Sequence, residues 1–173
     1  KFHNSKKDPW SITLVDTGPN TQTGGRIKKV AKYINDEFCL TYGDGLSNVN
    51  IKKLIKFHKK NKKLATMTTV QPPGRFGAAN LSGNKVVNFL EKPSGDGGWI
   101  NGGFFVLNKK TLKLIKNENT IWENYPLETL AKKKQLMSFK HTGFWHPMDT
   151  LRDKLYLEKL WNKKNCPWKL WNE

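Results

Sequence analysis

The stretch that decides the fold is FCLTYGDGLSNVNIKKLIKFHKKNKKLATMTTV, residues 38–70. It begins with an apolar strand, residues 38–42, that stops at the breaker triplet Gly43-Asp44-Gly45. Residues 51–60 carry apolar side chains at helical spacing, and residues 64–70 form a second strand rich in β-branched residues. A strand, a helix and a strand in succession indicate a parallel sheet covered by helices.

The preceding residues extend this pattern. Residues 11–17 (SITLVDT) alternate and predict a further strand, residues 18–25 are rich in loop formers, and residues 26–34 have helical spacing. The order from residue 11 to residue 70 is therefore β-α-β-α-β. We expect Cys39, inside the apolar strand, to be a buried thiol.

The following residues add an antiparallel piece. Residues 76–81 and 85–90 flank Ser-Gly-Asn and predict a hairpin. The remaining predicted elements are strands at 103–107, 136–140 and 144–145 and helices at 109–115, 123–131 and 151–162. The last helix has apolar positions at Leu151, Leu155, Leu160 and Trp161. We predict one α/β domain over residues 1–173, with a mostly parallel sheet and inserted antiparallel strands.

The composition excludes several classes of protein. The 173 residues are 36% hydrophobic and 12% aromatic, which is enough to form a core. Two cysteines, Cys39 and Cys166, are too few for a disulfide framework or a four-cysteine zinc site. No apolar run approaches the roughly 18 residues of a membrane helix, so we expect no membrane partner.

The charge is strongly positive. Lys and Arg number 31 against 14 Asp and Glu, for a net charge of +17. This suggests a nucleic-acid-binding module, whose affinity would fall steeply with salt. However, all but three of the cations are Lys, spread along the chain, whereas base readout favours Arg. We therefore expect no nucleic-acid partner and keep the basic module as the alternative from another class.

Two acidic positions are candidate metal ligands. Asp44 follows an apolar strand between two glycines, and Asp149 precedes the last helix. Ligands of open α/β sheets bind beyond the carboxyl ends of strands, and carboxylates there hold divalent cations. Each position also has a plainer interpretation: Asp44 in a turn, which the triplet alone favours, and Asp149 or Thr150 as a helix N-cap. Together the two carboxylates could converge on one Mg²⁺.

Other positions suit a sugar phosphate. In Glu91-Lys92-Pro93, a carboxylate can accept sugar hydroxyls and an ammonium can bind a phosphate, although an exposed ion pair explains them equally. In Asn101-Gly102-Gly103, main-chain groups could approach a sugar closely, or a loop could need a positive φ. Arg26 and Arg75 stand beside glycines, where a planar guanidinium could bind phosphate.

In order, these segments resemble the sugar-phosphate nucleotidylyltransferases, and within them the glucose-1-phosphate cytidylyltransferases. TYGDG (41–45) and WHPMDTLRD (145–153) are specific to the cytidylyl branch, whereas EKP (91–93) alone is a weak signal. The resembling segments run in family order over nearly the whole chain: 10–18, 23–26, 41–45, 72–77, 91–93, 100–106 and 143–153.

The resemblance implies a Rossmann-like nucleotidyltransferase fold and a cytoplasmic homo-oligomer, thought to be a hexamer, in lipopolysaccharide sugar biosynthesis. It implies that CTP and α-D-glucose 1-phosphate give CDP-glucose and pyrophosphate, with Mg²⁺ held by the catalytic Asp44 and Asp149. Lys92, the third implied catalytic residue, would bind the sugar phosphate, and Glu91 would bind the glucose hydroxyls. The other implied substrate-binding residues are Thr21 and Arg26 at the nucleotide, Asn101, Gly102 and Gly103 at the sugar, and Gly43 and Arg75.

The sequence departs from this family at its start. The family opens with Gly-Gly-x-Gly-Thr-Arg-Leu and then a Lys-Pro pair, which wrap the triphosphate, and neither is present here. The chain begins at Lys1 without an apolar signal segment, so we expect a fragment that begins inside a larger protein. We expect residues 1–173 to be inactive and poorly stable alone. A uridylyl- or thymidylyltransferase of the same family is the alternative within the class.

Overall fold

The computed structural model describes residues 11–72, 74, 77–91, 98–164 and 166–170. The strands are β1 Glu37–Thr41, β2 Gly45–Ser47, β3 Ala65–Val70, β4 Ala78–Ser82, β5 Lys85–Leu90, β6 Ile100–Asn108, β7 Leu136–Lys140 and β8 Trp145–Pro147. The α-helices are α1 Thr23–Lys29, α2 Ile51–Asn61, α3 Tyr125–Lys132 and α4 Leu151–Asn162. Among the described residues, Ala31–Tyr33 and Lys109–Leu114 form 3₁₀ helices.

The central sheet has the strand order β1-β6-β3-β7. β6 runs antiparallel to both β1 and β3, and β3 runs parallel to β7. The α/β class is confirmed, and β1 and β3 share a direction as the β-α-β pattern predicts. β1, β3 and β7 all run in one direction, and β6 is an antiparallel strand inserted between β1 and β3, so the prediction of a mostly parallel sheet with antiparallel insertion is confirmed for the described residues.

Two smaller pairs complete the described strands. β2 pairs with β8 although they are about a hundred residues apart in the chain, and Gly45 lies opposite Pro147. β4 pairs with β5 as the predicted hairpin, and Gly83 in its turn adopts φ +58°. A positive φ in a tight turn favours glycine, since it has no Cβ. The hairpin prediction is therefore confirmed.

One cluster of buried hydrophobic residues packs against the central sheet. It contains Ile27, Ala65, Phe105, Leu107, Leu112, Ile115, Trp122, Leu127 and Leu130. Phe38 and Leu40 of β1 pack against this cluster. Cys39 lies between them in the strand, so it points to the other face and is exposed. The prediction of a buried Cys39 thiol is wrong because alternate side chains of a strand face opposite ways.

Residues 11–17 form no strand, contrary to the prediction. Ile12 and Leu14 are 72% and 91% exposed, and no described strand pairs with this segment. Alternation makes a strand only where a neighbour accepts its backbone hydrogen bonds. The carbonyl of Thr17 instead accepts hydrogen bonds from Thr21 Oγ1 at 2.5 Å and from Lys29 Nζ at 3.0 Å.

Helix α1 begins earlier than predicted and includes two glycines expected in the loop. Gly24 and Gly25 are buried in its first turn. A Cβ atom on Gly24 would lie 2.7 Å from the carbonyl oxygen of Thr120, and one on Gly25 would overlap Glu118. The glycines therefore permit close packing of α1 against residues 118–120, which the local sequence does not reveal.

Helix α4 has the predicted bounds and begins at the N-cap Thr150. Thr150 and Asp153 form a capping box, in which each side chain bonds the other residue's backbone N–H. The hydrogen bond from the Thr150 hydroxyl is the main reason why the pKa of Asp153 is lowered, and His146 at 3.2 Å contributes.

The predicted apolar positions of α4 do not form its buried face. Leu151, Leu155 and Trp161 are each more than half exposed, whereas Asp153 and Leu157 are buried. The buried face of α4 is therefore the one that carries Asp153 of the capping box, and these three apolar side chains lie outside it. No helix of the described residues has the length and apolar character to span a bilayer.

The buried His58 predicts a pH-dependent stability. Its Nδ1 hydrogen-bonds Thr66 Oγ1 at 2.9 Å, and burial lowers the pKa of His58, opposed by the nearby Glu37 carboxylate. Because the unfolded chain then takes up a proton more readily than the folded one, the His58 contribution is present above about pH 6.5 and is lost as the pH falls. Chemical denaturation of the chain at pH 7.5 and pH 5.5 should show this loss. H58Q should reduce the difference between the two pH values, and an unchanged difference would contradict the assignment.

Candidate active site

A small cleft lies where β1 ends and β6 begins. Residues from three separate segments line it: Thr41, Tyr42, Asp44, Gly45, Asn101, Gly102, Gly103, Phe104, Trp145 and Pro147. Four of the predicted site residues, Asp44, Asn101, Gly102 and Gly103, thus lie together. The cleft arises because the end of β1 is hydrogen-bonded to β6, with the Tyr42 N–H donating to the Gly103 carbonyl at 3.2 Å.

The pairing of β2 with β8 brings the backbones of the two predicted metal ligands together. The N–H of Met148 donates to the carbonyl of Asp44 at 2.7 Å. Asp149 is the next residue after Met148, and its backbone is therefore close to that of Asp44. Both aspartates are exposed. The backbones of the two candidate metal ligands therefore lie close together.

This donor set suits Mg²⁺ at a phosphate site. Within the described ranges, no group of three or more His, Cys, Asp or Glu side chains could hold a metal ion. Mg²⁺ is commonly held by one or two carboxylates together with substrate phosphates and water, and carboxylate oxygens are its preferred protein ligands. Asp44 and Asp149 could supply two such ligands.

The backbone of Gly102 and Gly103 is held tightly at the start of β6. Trp145 Nε1 donates to the Gly102 carbonyl at 2.8 Å, and the Gly103 N–H donates to Asn101 Oδ1 at 2.9 Å. Gly103 adopts φ +77°, and a Cβ atom there would lie 2.9 Å from Tyr42 Cδ2. The positive φ considered from the sequence is thus present at Gly103, and it lies at the cleft.

A chain of hydrogen bonds runs from the cleft to α1. Asn101 Nδ2 donates to the Tyr42 hydroxyl at 3.2 Å, Tyr42 donates to Glu123 Oε1 at 2.5 Å, and the Thr23 hydroxyl donates to Glu123 Oε2 at 2.7 Å. Burial, followed by the hydrogen bond to Glu123, raises the pKa of Tyr42. The phenol therefore keeps its proton at neutral pH.

Glu123 is not marked by any motif of the sequence, and neither Tyr42 nor Trp145 was predicted to be a functional residue. Glu123 lies 81 residues from Tyr42 and precedes α3, where an acidic residue is ordinary. No local signal distinguishes it from a residue near a helix N-terminus. Tyr42 lies in the TYGDG motif and Trp145 in the WHPMD segment. These motifs indicate that a site is near, but they do not show which residues the two side chains contact.

Thr21 and Arg26 lie together but do not line the cleft. Thr21 is 6% exposed and accepts a hydrogen bond from Lys29 Nζ at 2.9 Å. The Arg26 guanidinium donates to Thr17 Oγ1 at 2.6 Å and to the Pro19 carbonyl at 3.2 Å. Both residues therefore hold the 17–19 turn in this structure.

The other predicted site residues are scattered. Gly43 is exposed between Tyr42 and Asp44, and a Cβ there would meet no atom within 4 Å. Glu91 is exposed just after β5 and does not line the cleft. Arg75 and Lys92 lie outside the described residues.

Comparison with known proteins identifies the family. Residues 3–155 match the family described as Nucleotidyl transferase. The chain belongs to the nucleotidyl transferase family. The resemblance found in the sequence motifs is confirmed, and so is the predicted class, a nucleotidyltransferase.

This nucleotidyltransferase chain is 55% identical to the glucose-1-phosphate cytidylyltransferase of Salmonella typhi, over 99% of its own length and 67% of the relative's. It is 42% identical to a probable glucose-1-phosphate cytidylyltransferase of Bacillus subtilis, over 95% of this chain and 65% of that one. The chain spans about two thirds of the length of these curated relatives.

Structural similarity agrees with the family. A putative glucose-1-phosphate thymidylyltransferase of Bacillus anthracis, in a complex with sucrose, superposes with a TM-score of 0.57 at 18% identity, over 90% of this chain and 65% of that one. At this identity the likeness concerns the fold alone, and the predicted nucleotidyltransferase fold is confirmed. The single domain over residues 1–173 stays a prediction.

The close approach at Gly103 predicts that the nucleotidyltransferase tolerates no side chain there. G103A should lower the free energy of unfolding by about 1–3 kcal/mol, because alanine disfavours the positive φ and its Cβ would press on Tyr42. Equilibrium urea denaturation measures this loss.

G83A is the matched control, since Gly83 also has a positive φ but a Cβ atom there would have no neighbour within 4 Å. It should cost less than G103A, because it bears the backbone penalty alone. Equal losses in the two variants would contradict the packing role of Gly103.

Proposed function

We propose that the chain is part of a cytidylyltransferase that makes CDP-glucose and pyrophosphate from CTP and α-D-glucose 1-phosphate. The observation that carries the proposal is the 55% identity to a glucose-1-phosphate cytidylyltransferase over 99% of this chain. The cleft adds physical support, because it gathers Asp44 and the Asn101-Gly102-Gly103 segment at the end of one strand and the start of another.

The reaction is an in-line displacement at phosphorus. A phosphate oxygen of glucose 1-phosphate attacks the α-phosphorus of CTP, a new P–O bond forms, and the bond from the α-phosphorus to the bridging oxygen of pyrophosphate breaks. The electron pair and the negative charge leave with pyrophosphate. No covalent bond to the protein is required, so the residues catalyse by positioning the two anions and by neutralising their charge.

In this proposal, Asp44 at the cleft and Asp149, which follows the residue bonded to Asp44, would hold Mg²⁺. The bound ion would neutralise phosphate charge and orient the nucleotide. The two carboxylates suit this role because their backbones are joined by the hydrogen bond between Met148 and Asp44, which limits their relative movement. Their exposure leaves room for the phosphates to complete the coordination.

The remaining residues would bind the two substrates. Asn101 and the backbone of Gly102 and Gly103 would contact the sugar. Glu91 would accept glucose hydroxyls, and Lys92 would bind the sugar phosphate as a point charge. Thr21 and Arg26 are proposed for the nucleotide side, and Gly43 and Arg75 are further proposed substrate-binding residues.

We also propose a cytoplasmic homo-oligomer, a hexamer by resemblance to the family. Thr21 and Arg26 support a contribution to a neighbouring subunit, since they do not line the cleft of their own chain. A complementing subunit could supply the nucleotide contacts to another subunit's cleft.

Nucleotide preference is the first test of the proposed function. Protein from the full open reading frame, supplied with glucose 1-phosphate and Mg²⁺, should release pyrophosphate with CTP and not with UTP, dTTP or ATP. Turnover with UTP or dTTP instead would replace the cytidylyl assignment by the uridylyl or thymidylyl one. Assay of residues 1–173 alone tests the expectation that they are inactive. If the full protein releases pyrophosphate with none of the four nucleotides, the proposed function is wrong.

The metal ligands provide a second test. D44N and D149N should each lower kcat/KM by at least about 100-fold, because neutral amides bind Mg²⁺ poorly and leave phosphate charge unbalanced. Steady-state kinetics at several Mg²⁺ concentrations measures the effect, and higher Mg²⁺ should recover part of it. D36N is the control, since Asp36 is an exposed aspartate outside the cleft lining. A loss in D36N equal to that in D44N would argue against a specific metal role.

A further inference from the structure

The orientation of the Asn101 amide follows from the hydrogen bonds behind it. A carboxylate can only accept hydrogen bonds, and Glu123 accepts from both Tyr42 and Thr23. The phenol proton of Tyr42 is therefore committed to Glu123. The phenol oxygen is left as an acceptor, so the group of Asn101 that faces it must be the Nδ2 donor.

The other side of the amide is determined as well. Asn101 Oδ1 accepts from the Gly103 N–H at 2.9 Å. A flipped amide would place Nδ2 against the Gly103 N–H, which is also a donor, and Oδ1 against a phenol oxygen whose proton points to Glu123. Both contacts would be repulsive, so one orientation is strongly preferred.

This orientation determines what Asn101 can offer a ligand. Within the described residues, the Asn101 amide uses one N–H of Nδ2 for Tyr42 and one lone pair of Oδ1 for the Gly103 N–H. Its second N–H and its second lone pair are available. Asn101 lines the cleft, so this donor and this acceptor are its available functions there. A sugar hydroxyl both donates and accepts, which matches such a pair.

We propose that Tyr42 and Glu123 are positioning residues, which act through Asn101 to present its amide in one orientation to the hydroxyls of the sugar phosphate. The inference rests on the proposed function for the identity of the sugar. Thr23, the first residue of α1, holds the second oxygen of Glu123, and Trp122 N–H donates to the Thr23 hydroxyl at 2.9 Å. The anchoring of Glu123 therefore involves the loop before α3 as well as α1.

The raised pKa of Tyr42 agrees with this role. Burial and the bond to Glu123 keep the phenol protonated, so the direction of its hydrogen bond does not change near neutral pH. Gly103 adds a steric constraint, since its missing Cβ is what lets the Tyr42 ring pack against the start of β6.

The test compares Y42F and E123Q with wild type in the full protein. Y42F removes the oxygen that accepts a hydrogen bond from Asn101 Nδ2. E123Q replaces the carboxylate by an amide, which can donate as well as accept, so the hydroxyl proton of Tyr42 no longer has to point to residue 123. Each should raise the KM for glucose 1-phosphate roughly three- to tenfold, the value of one hydrogen bond, and leave the KM for CTP within about twofold. Y33F, which removes the hydroxyl of a half-exposed ring, is the matched control and should change neither constant.

A double-mutant cycle tests whether Tyr42 acts through Asn101. In an N101A background, Y42F should have no further effect on the KM for glucose 1-phosphate. If Y42F raises the KM for glucose 1-phosphate as much in the N101A background as in wild type, the positioning role is wrong. It is also wrong if Y42F and E123Q behave like Y33F, or if they raise the KM values for glucose 1-phosphate and CTP equally. If Y42F does not fold, the cycle of N101A with E123Q replaces it.

A measurement without substrate separates this inference from the proposed function. The side-chain amide signals of Asn101 in ¹H–¹⁵N spectra, assigned by their loss in N101D, should shift in Y42F and E123Q but not in Y33F. If wild type turns over no substrate pair, the proposed function fails and these spectra still decide the orientation. Unchanged Asn101 signals in both variants would overturn the hydrogen-bond chain itself.

Discussion

The pairing of β6 with β1 on one side and β3 on the other is the interaction on which the rest of the described structure depends. β6 contributes Phe105, Val106 and Leu107 to the buried interior, so it joins the sheet to the core. Its first residues project past the end of β1 as the wall of the cleft. A shift in the register of this strand would move Asn101 and Gly103 away from Tyr42 and would turn its buried side chains to the opposite face.

The cleft combines two types of support. The sheet positions the sugar-side residues through the bond between Tyr42 and Gly103, whereas the β2–β8 pair positions the acidic residues through Met148 and Asp44. Trp145 connects the two, because it belongs to β8 and donates to the carbonyl of Gly102. For a reaction between two phosphate anions, such a fixed frame supplies orientation, and the net charge of +17 lowers the cost of bringing polyanions to the protein.

Most elements could be predicted from local sequence where periodicity and packing agree. β7 and α4 have the predicted bounds, and the hairpin turn lies at the predicted Gly83. Residues 11–17 show the limit, since alternation cannot supply the partner strand that a sheet requires. Gly24 and Gly25 show another: glycines typical of a loop are used in α1 for close packing against residues 118–120.

The sequence by itself determined most of the elements from β1 onward, the family and the positions of its motifs, because these depend on residue type and spacing along the chain. It did not predict the short strand β2, which forms only by pairing with β8. Only the tertiary structure decided that β6 lies between β1 and β3, that Cys39 faces outward, and that Glu123 is bonded to Tyr42. These features depend on contacts between residues far apart in the chain. Such contacts are determined by which elements pack together, and no local pattern in one chain records that choice.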